Sequence, residues 1–185
     1  MVSDSPCGCC RQFLYELVTQ PSLTVSLPDR TKTASSTSLL DELLPNAFGP
    51  KDLFHTGSGL MEPANSSPPL ELREHITDPL VLSALAAANL SYAPYTGDRA
   101  RCAIQLTDDS VYVGRFAETA AYSPGIMPLE SALSRLSLAR LVDETPRLKR
   151  VVLVEASSRA SKEHTTRSVL AAFAPTITLE VHLAL

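Results

Sequence analysis

Apolar positions in the first third of the chain follow helical and then strand spacing. Phe13, Leu14 and Leu17 are spaced as on one helix face, and Gln20-Pro21 ends that helix. Leu23–Leu27 alternates apolar and polar residues, which predicts a strand. Residues 31–38 are rich in Ser and Thr and predict a loop, and Leu39–Leu44 predicts a short apolar turn.

A fuller pattern follows in the second half of the chain. Thr77-Asp78-Pro79 predicts a helix start, with a capping side chain and Pro in the first turn, and the apolar spacing continues to about Asn89. The continuous run Val151–Val154 is typical of a strand buried on both faces. The other predicted elements are a hairpin of 100–107 and 110–117, a helix from Pro128, a helix near 162–173 and a strand near 176–184.

Between the two patterns lies a segment with the composition of a linker. Residues 55–71 hold two Gly, three Pro and three Ser among few apolar residues. We therefore predict a first domain at 1–53, a linker at 54–73 and a second domain at 74–185. Lys162–Leu170 can be laid without gaps over Pro6–Leu14, and both segments continue as helix, proline break and alternating strand. This match suggests a duplicated domain, although a helix followed by a strand also matches by chance.

Composition and charge narrow the range of possible binding partners and cellular locations. The 185 residues carry a formal net charge of −4, which argues against nucleic acid as the main partner because phosphate binding needs a clustered basic face. No stretch reaches the roughly 20 apolar residues of a membrane span. The N-terminus has neither the basic nor the apolar region of a secretion signal, so we expect a cytoplasmic protein with reduced cysteines.

Three of the four cysteines are crowded into Cys7-Gly8-Cys9-Cys10 at the predicted start of the first helix. The spacing of Cys7 and Cys10 lets two thiolates reach one zinc ion about 2.3 Å away, and the helix N-terminus favours the thiolate form. A redox motif of the thioredoxin kind has the same spacing, but the strand that should precede it is missing. The three cysteines could also lie together by coincidence. Cys9 could also be a zinc ligand together with Cys7 or with Cys10. We prefer Cys7 and Cys10 because adjacent cysteines rarely bind one ion together.

Several segments resemble the cytidine deaminases, whose zinc signature is His-x-Glu followed by Pro-Cys-x-x-Cys. Ser5–Phe13 resembles the cysteine part of that signature. Leu44–Leu53 resembles the connector of the two-domain, homodimeric branch of plants and some bacteria. Ala86–Tyr95 and Gly114–Tyr122 resemble the second, non-catalytic domain of that branch. The resemblance covers nearly the whole chain in the right order.

The resemblance implies an α/β fold of three layers, a mixed sheet between helices, with a partial first copy and a complete, degenerate second copy. It also implies a homodimeric enzyme that uses Zn²⁺ to hydrolyse the amino group of cytidine or deoxycytidine in pyrimidine salvage. Cys7 and Cys10 match the cysteine ligands of the zinc. Arg11 and Gln12 match positions from which a side chain could orient or neutralise the thiolates. Phe48 matches a connector aromatic that helps to wall the nucleoside pocket of the neighbouring subunit.

The departures from the family pattern are as informative as the matches. No His-Ala-Glu precedes Cys7, so a zinc ligand and the proton-transferring Glu are missing from the first domain. In the second domain, Met127, Pro128 and Leu129 stand in the slots of that motif, and Glu130 is one position out of register. Glu163–Thr166 fill the cysteine slots without a thiol, and Phe116 takes the slot of a substrate-binding Asn, although Glu118 is kept. We expect the second domain to be metal-free and catalytically silent.

Two hypotheses follow for function. In the first, the chain is an N-terminally truncated piece of a cytidine deaminase. In the second, the chain is the real product, a pseudoenzyme or an interaction partner, and the strand at 23–27 would have no sheet to join. A nucleic-acid deaminase is a third and weaker reading. The sequence does not separate cytidine from deoxycytidine. His55, His75, His164 and His182 are weak stand-ins for the missing ligand, and Cys102 is expected to be a buried small hydrophobe.

Overall fold

A computed structural model describes residues 5–17, 23–27, 36–53, 59–60, 68–139, 147–158 and 160–185. Within them the chain forms two compact units. The first unit is Met1–Pro63 together with Glu118–Gly125, and the second is Ala64–Ala117 together with Ile126–Leu185. The predicted domain limits at 53 and 74 stay a prediction.

The first unit is built around one helix and a small hairpin-like sheet. Helix α1 spans Gly8–Leu17, as the helical spacing predicted. Strand β1 (Thr24–Leu27) pairs antiparallel with strand β2 (Ser36–Leu39). Helix α2 (Leu40–Leu43) follows β2 directly, and a 3-10 turn spans Pro50–Leu53.

Two expectations for this unit were wrong. Ser36–Ser38 was expected to belong to a loop, and the hypothesis that the chain is the real product left the strand at 23–27 without a sheet to join. Both errors have one cause: Ser36, Thr37 and Ser38 carry no apolar alternation, so the pairing rests on backbone hydrogen bonds that side-chain patterning does not show. The apolar turn at Leu39–Leu44 is α2, a single helical turn.

The second unit contains a four-stranded mixed sheet in the order β4-β3-β5-β6. Strand β3 pairs antiparallel with β4 and β5, and β5 pairs parallel with β6. The strands are β3 (Ala100–Leu106), β4 (Val111–Arg115), β5 (Leu148–Ala156) and β6 (Leu179–Ala184). The helices are α3 (Pro79–Ala88), α4 (Pro128–Ala139) and α5 (Glu163–Phe173).

Helices cover both faces of this sheet, which confirms the expected three-layer α/β architecture. On one face Cys102 and Ile104 of β3 pack with Leu129 of α4 and Leu170 of α5. On the other face Ala103 of β3 and Val152 and Val154 of β5 pack with α3. Val151–Val154 are all fully buried, as their continuous apolar run predicted. Cys102 is fully buried too, and burial raises the pKa of its thiol to about 12.

The start of α3 shows how the sequence positions an element. The Asp78 carboxylate accepts hydrogen bonds from the backbone N–H groups of Leu80 and Val81, at 2.8 and 3.4 Å. Pro79 fills the first helical position, where its missing N–H costs nothing. The predicted helix start is therefore confirmed. Among the residues that the structure describes, no helix is long and apolar enough to cross a membrane.

Candidate metal centre

The thiols of Cys7 and Cys10 meet at the N-terminal end of α1. Their Sγ atoms are 3.1 Å apart, and the backbone N–H of Cys10 points at the Cys7 sulfur from 3.4 Å. The backbone N–H of Arg11 donates to the Cys7 carbonyl oxygen at 2.9 Å, so Cys7 leads directly into the first turn. Both thiols are exposed. The structure thus brings together the two cysteines at which the sequence predicted a zinc site.

The contact between the two thiols makes them electrostatically unequal. The side-chain hydrogen bond with Cys10, followed by one from the Cys10 backbone, lowers the pKa of Cys7. The same side-chain contact raises the pKa of Cys10. Cys7 is therefore the sulfur of this pair that more readily becomes a thiolate, which is the form that binds metal ions.

Arg11 fixes the segment that carries Cys7. Its guanidinium donates to the carbonyl oxygens of Pro6 (Nε, 2.7 Å) and Leu43 (Nη1, 2.6 Å). A third hydrogen bond joins Nη2 to the Ser5 hydroxyl oxygen at 3.1 Å. These bonds tie the residues before α1 to the last turn of α2. In this geometry the Arg11 side chain positions the Cys7 loop through backbone oxygens.

Gln12 and Tyr15 hold the connector against the same helix. The Gln12 side-chain amide donates to the carbonyl oxygen of Phe48 at 2.5 Å. The Tyr15 ring lies against Gly49, where a Cβ atom would come within 2.2 Å of Tyr15 Cε1. Phe48 itself is 45% exposed. α1 therefore fixes the backbone of the connector while the Phe48 side chain faces outward.

Glu16 is a residue of this unit that sequence reasoning missed. It is fully buried, and its Oε2 accepts a hydrogen bond from the backbone N–H of Ala120 at 3.0 Å. The backbone carbonyl of Glu16 also accepts from Leu60 at 3.0 Å. No sequence signal marks Glu16, because a Glu between apolar residues of an amphipathic helix ordinarily faces solvent.

The cysteine pair fits part of a tetrahedral zinc site. Zinc–sulfur bonds of about 2.3 Å at tetrahedral angles would place the two sulfurs roughly 3.8 Å apart, so a small side-chain rotation from 3.1 Å suffices. Across the described ranges, no group of three or more His, Cys, Asp or Glu side chains is arranged to hold a metal ion. His75 and His164 are exposed, His182 is half-buried, and His55 lies outside the described residues.

The positions that the resemblance assigns to a zinc motif in the second domain are filled by other chemistry. The Lys162 ammonium, in the residue just before α5, lies 4.5 Å from the centre of the Phe116 ring and 3.5 Å from the Asp98 carboxylate. Lys162 and Asp98 are both buried. Pro128 and Leu129 are buried at the start of α4, where they serve the core. A buried ion pair and apolar packing therefore occupy this part of the fold.

Comparisons with known proteins show what this sequence is similar to. A family model described as the cytidine and deoxycytidylate deaminase zinc-binding region matches residues 40–167. The chain is 44% identical over 172 residues to a cytidine deaminase of Photorhabdus laumondii, covering 92% of this chain and 54% of that protein. It is 40% identical over 180 residues to a cytidine deaminase of Aliivibrio fischeri, covering 97% of this chain and 57% of that protein.

A solved structure, the crystal structure of cytidine deaminase from Mycobacterium leprae, aligns with a TM-score of 0.46 and 24% sequence identity. The alignment covers 57% of this chain and 87% of that one. The chain spans about half the length of the curated relatives it matches.

The chain belongs to the cytidine and deoxycytidylate deaminase family, since the family model covers more than half of its residues. The matched range contains Leu44–Leu53 and most of the second unit. Cys7 and Cys10 lie before it, but the similarity to the A. fischeri protein is long enough to include them.

Proposed function

We propose that this chain is part of a zinc-dependent hydrolase that deaminates cytidine or deoxycytidine to uridine or deoxyuridine and releases ammonia. The observation that carries the proposal is the Cys7–Cys10 pair, two thiols 3.1 Å apart at the head of α1 in a member of the deaminase family. A zinc ion bound there would supply an acidified water as nucleophile near neutral pH.

Cys7 and Cys10 are the two thiolate ligands in this proposal. Their exposure leaves room for a metal ion on the side away from α1. The lowered pKa of Cys7 supports its role, because a ligand thiol must lose its proton to bind. The N-terminal end of the helix further favours the two negative sulfurs.

Arg11 and Gln12 act on this site by positioning. Arg11 uses three of its N–H groups to hold Ser5, Pro6 and Leu43, which keeps Cys7 at a fixed distance from the helix start. Gln12 holds the backbone of Phe48. Neither side chain has a described hydrogen bond to a sulfur, so their effect on the thiolates is exerted through the loop geometry.

Phe48 is proposed to contact the nucleoside bound by a second copy of the chain in a homodimer. Phe48 is 45% exposed, although its backbone is fixed by Gln12 and its neighbour Gly49 is packed on Tyr15. An aromatic ring held outward on a rigid backbone suits stacking or edge contact with a base. This geometry supports a role between subunits.

The third zinc ligand and the group that transfers protons to the base are proposed to come from residues outside this sequence, which has no His-Ala-Glu. We place the protein in the cytoplasm, and its four free cysteines support that placement. The second domain is proposed to be catalytically silent and to have a structural role.

The test is a deamination assay of the longest protein that the native transcript encodes, run beside the 185-residue chain. We expect the longer protein to release ammonia from cytidine or deoxycytidine, to lose this activity with a chelator and to regain it with Zn²⁺. The 185-residue chain is expected to show no turnover. A longer protein that contains His-Ala-Glu, binds zinc and leaves both nucleosides intact would contradict the proposal and favour an inactive relative.

A further inference from the structure

Three arginines line one cavity at the edge of the sheet in the second unit. The cavity has a volume of about 340 Å³ and is lined by Leu90, Arg101, Val113, Arg115, Ser131 and Arg135. Arg101 lies on β3 directly opposite Arg115 on the edge strand β4, and Arg135 comes from α4. Among the described residues that line the cavity, none is acidic. Like charges directly opposite each other on neighbouring strands destabilise a sheet, so this arrangement calls for a compensating group.

The described contacts of the three guanidinium groups are to backbone oxygens. Arg101 Nη1 donates to Ala87 at 2.8 Å, and Arg115 Nη1 donates to Leu90 at 3.1 Å, near the C-terminal end of α3. Arg135 Nη1 donates to the Val113 carbonyl at 3.1 Å. Within the described part of the chain, none of the three forms an ion pair.

These contacts leave most of the positive charge uncompensated. A helix C-terminus carries about half a negative elementary charge, which is small beside three guanidinium charges. Arg101 is only 9% exposed, and its Nε has no hydrogen-bond partner in the described structure. Burial, followed by the positive charges of Arg135 and Arg115, lowers the pKa of Arg101 to about 10, so it stays charged at neutral pH.

We infer that this cavity, which we name the arginine cavity, binds the phosphate group of a small molecule. A phosphate oxyanion accepts several charge-assisted hydrogen bonds at once and matches the planar fork of arginine. The cavity volume lies within the range of about 300–1,000 Å³ that small-molecule sites occupy. It can therefore hold free phosphate or a phosphate ester such as a nucleotide. The inference does not depend on the proposed deaminase activity.

The direct test is calorimetric titration of the 185-residue chain with inorganic phosphate at low ionic strength in chloride-matched buffer. We expect one saturable site. The double variant Arg115→Gln/Arg135→Gln, in which both changed residues are exposed, should weaken binding by about tenfold or more. The matched control Arg147→Gln/Lys149→Gln removes the same charge from exposed positions outside the cavity and should bind as the wild type does.

Two further arms complete the experiment. Titration with cytidine 5′-monophosphate and with cytidine shows which source of phosphate the cavity takes. Tighter binding of the nucleotide than of phosphate identifies an ester, whereas exclusion of the nucleotide identifies the free ion. Protection of Arg115 and Arg135 from phenylglyoxal by phosphate, read by mass spectrometry on the wild type, tests the site even if the double variant fails to fold. Absent phosphate binding, or equal weakening in both double variants, would overturn the inference.

Discussion

Nη1 of Arg11 lies 2.6 Å from the carbonyl oxygen of Leu43, a residue 32 positions further along the chain. Leu43 ends α2, where backbone carbonyls lack helical partners, so this hydrogen bond satisfies an otherwise open acceptor. It also joins the start of α1 to the segment that leads into the connector. One side chain therefore links the geometry of Cys7 to that of the connector.

Replacing Arg11 by Gln should loosen the cysteine loop. The variant loses hydrogen bonds to Pro6, Leu43 and Ser5, and bonds from a charged donor are worth about 1.5–3 kcal/mol each when buried. Because Arg11 is half-buried, we expect the three hydrogen bonds together to contribute only about 1.5 kcal/mol to the free energy of unfolding. Hydrogen exchange should accelerate in residues 8–17. Unchanged exchange there, or equal acceleration in the exposed control Arg167→Gln, would contradict the role of Arg11.

Gly49→Ala should disturb the contact between α1 and the connector. The added Cβ would meet Tyr15 Cε1 at 2.2 Å, so the Tyr15 ring or the connector must move. Overpacking of this kind costs about 1–3 kcal/mol. The control Gly8→Ala places a Cβ in open space and should be neutral or stabilising, since Ala favours a helix. Chemical denaturation compares the two, and equal stability would count against the packing that we describe.

The thiols of the metal-free protein should differ in reactivity. Cys7 has a lowered pKa and Cys10 a raised one, so iodoacetamide near neutral pH should modify Cys7 first. Cys102 should react only after unfolding, because it is buried and its pKa is raised to about 12. Peptide mass spectrometry over time gives the order. Faster modification of Cys10 than of Cys7 would contradict the order of the two pKa values.

Stability should fall in acid partly through a three-residue ion pair. Arg150 contacts Glu180 at 2.7 Å and Asp78 at 2.9 Å, and these contacts hold the pKa of both carboxyls below the ordinary values. A lowered pKa stabilises the fold above the unfolded-state value, and this stabilisation is lost as pH falls through the folded-state value. Since the three side chains are about a third exposed, solvent screening limits the effect to about 1 kcal/mol.

Arg150→Gln should therefore lower the free energy of unfolding at pH 7 and converge with the wild type below about pH 3. Urea unfolding at both pH values measures the difference. Lys149→Gln, which breaks a more exposed pair with Asp109, serves as the control and should change stability less. A constant difference at both pH values would contradict the role of these carboxyls.

The second unit could be predicted from the sequence because its signals are local. Asp78-Pro79 marks a helix start by capping, and Val151–Val154 marks a central strand by continuous apolar residues. Both signals depend on a few neighbouring residues, so they can be recognised in the sequence without knowledge of the fold. The cysteine pair belongs to the same class, since a helix start and a spacing of three bring both thiols together.

Features that depend on distant residues could not be predicted. The buried Glu16 carboxylate accepts a hydrogen bond from the backbone of Ala120, which lies 104 positions away. The arginine cavity needs the register of β3 with β4 and the approach of α4, so Arg101, Arg115 and Arg135 give no common sequence signal. Strand β2 pairs through its backbone, and its Ser and Thr side chains resemble a loop.

The assignment of Cys7 and Cys10 as zinc ligands is tested most directly by zinc K-edge X-ray absorption of the zinc-loaded 185-residue chain and its cysteine variants. The account predicts two sulfur ligands per zinc at about 2.3 Å. The spectrum should be unchanged in Cys9→Ser, and a sulfur should be lost in Cys7→Ser and in Cys10→Ser. A spectrum without sulfur ligands, or one that loses a sulfur in Cys9→Ser, would contradict the assignment.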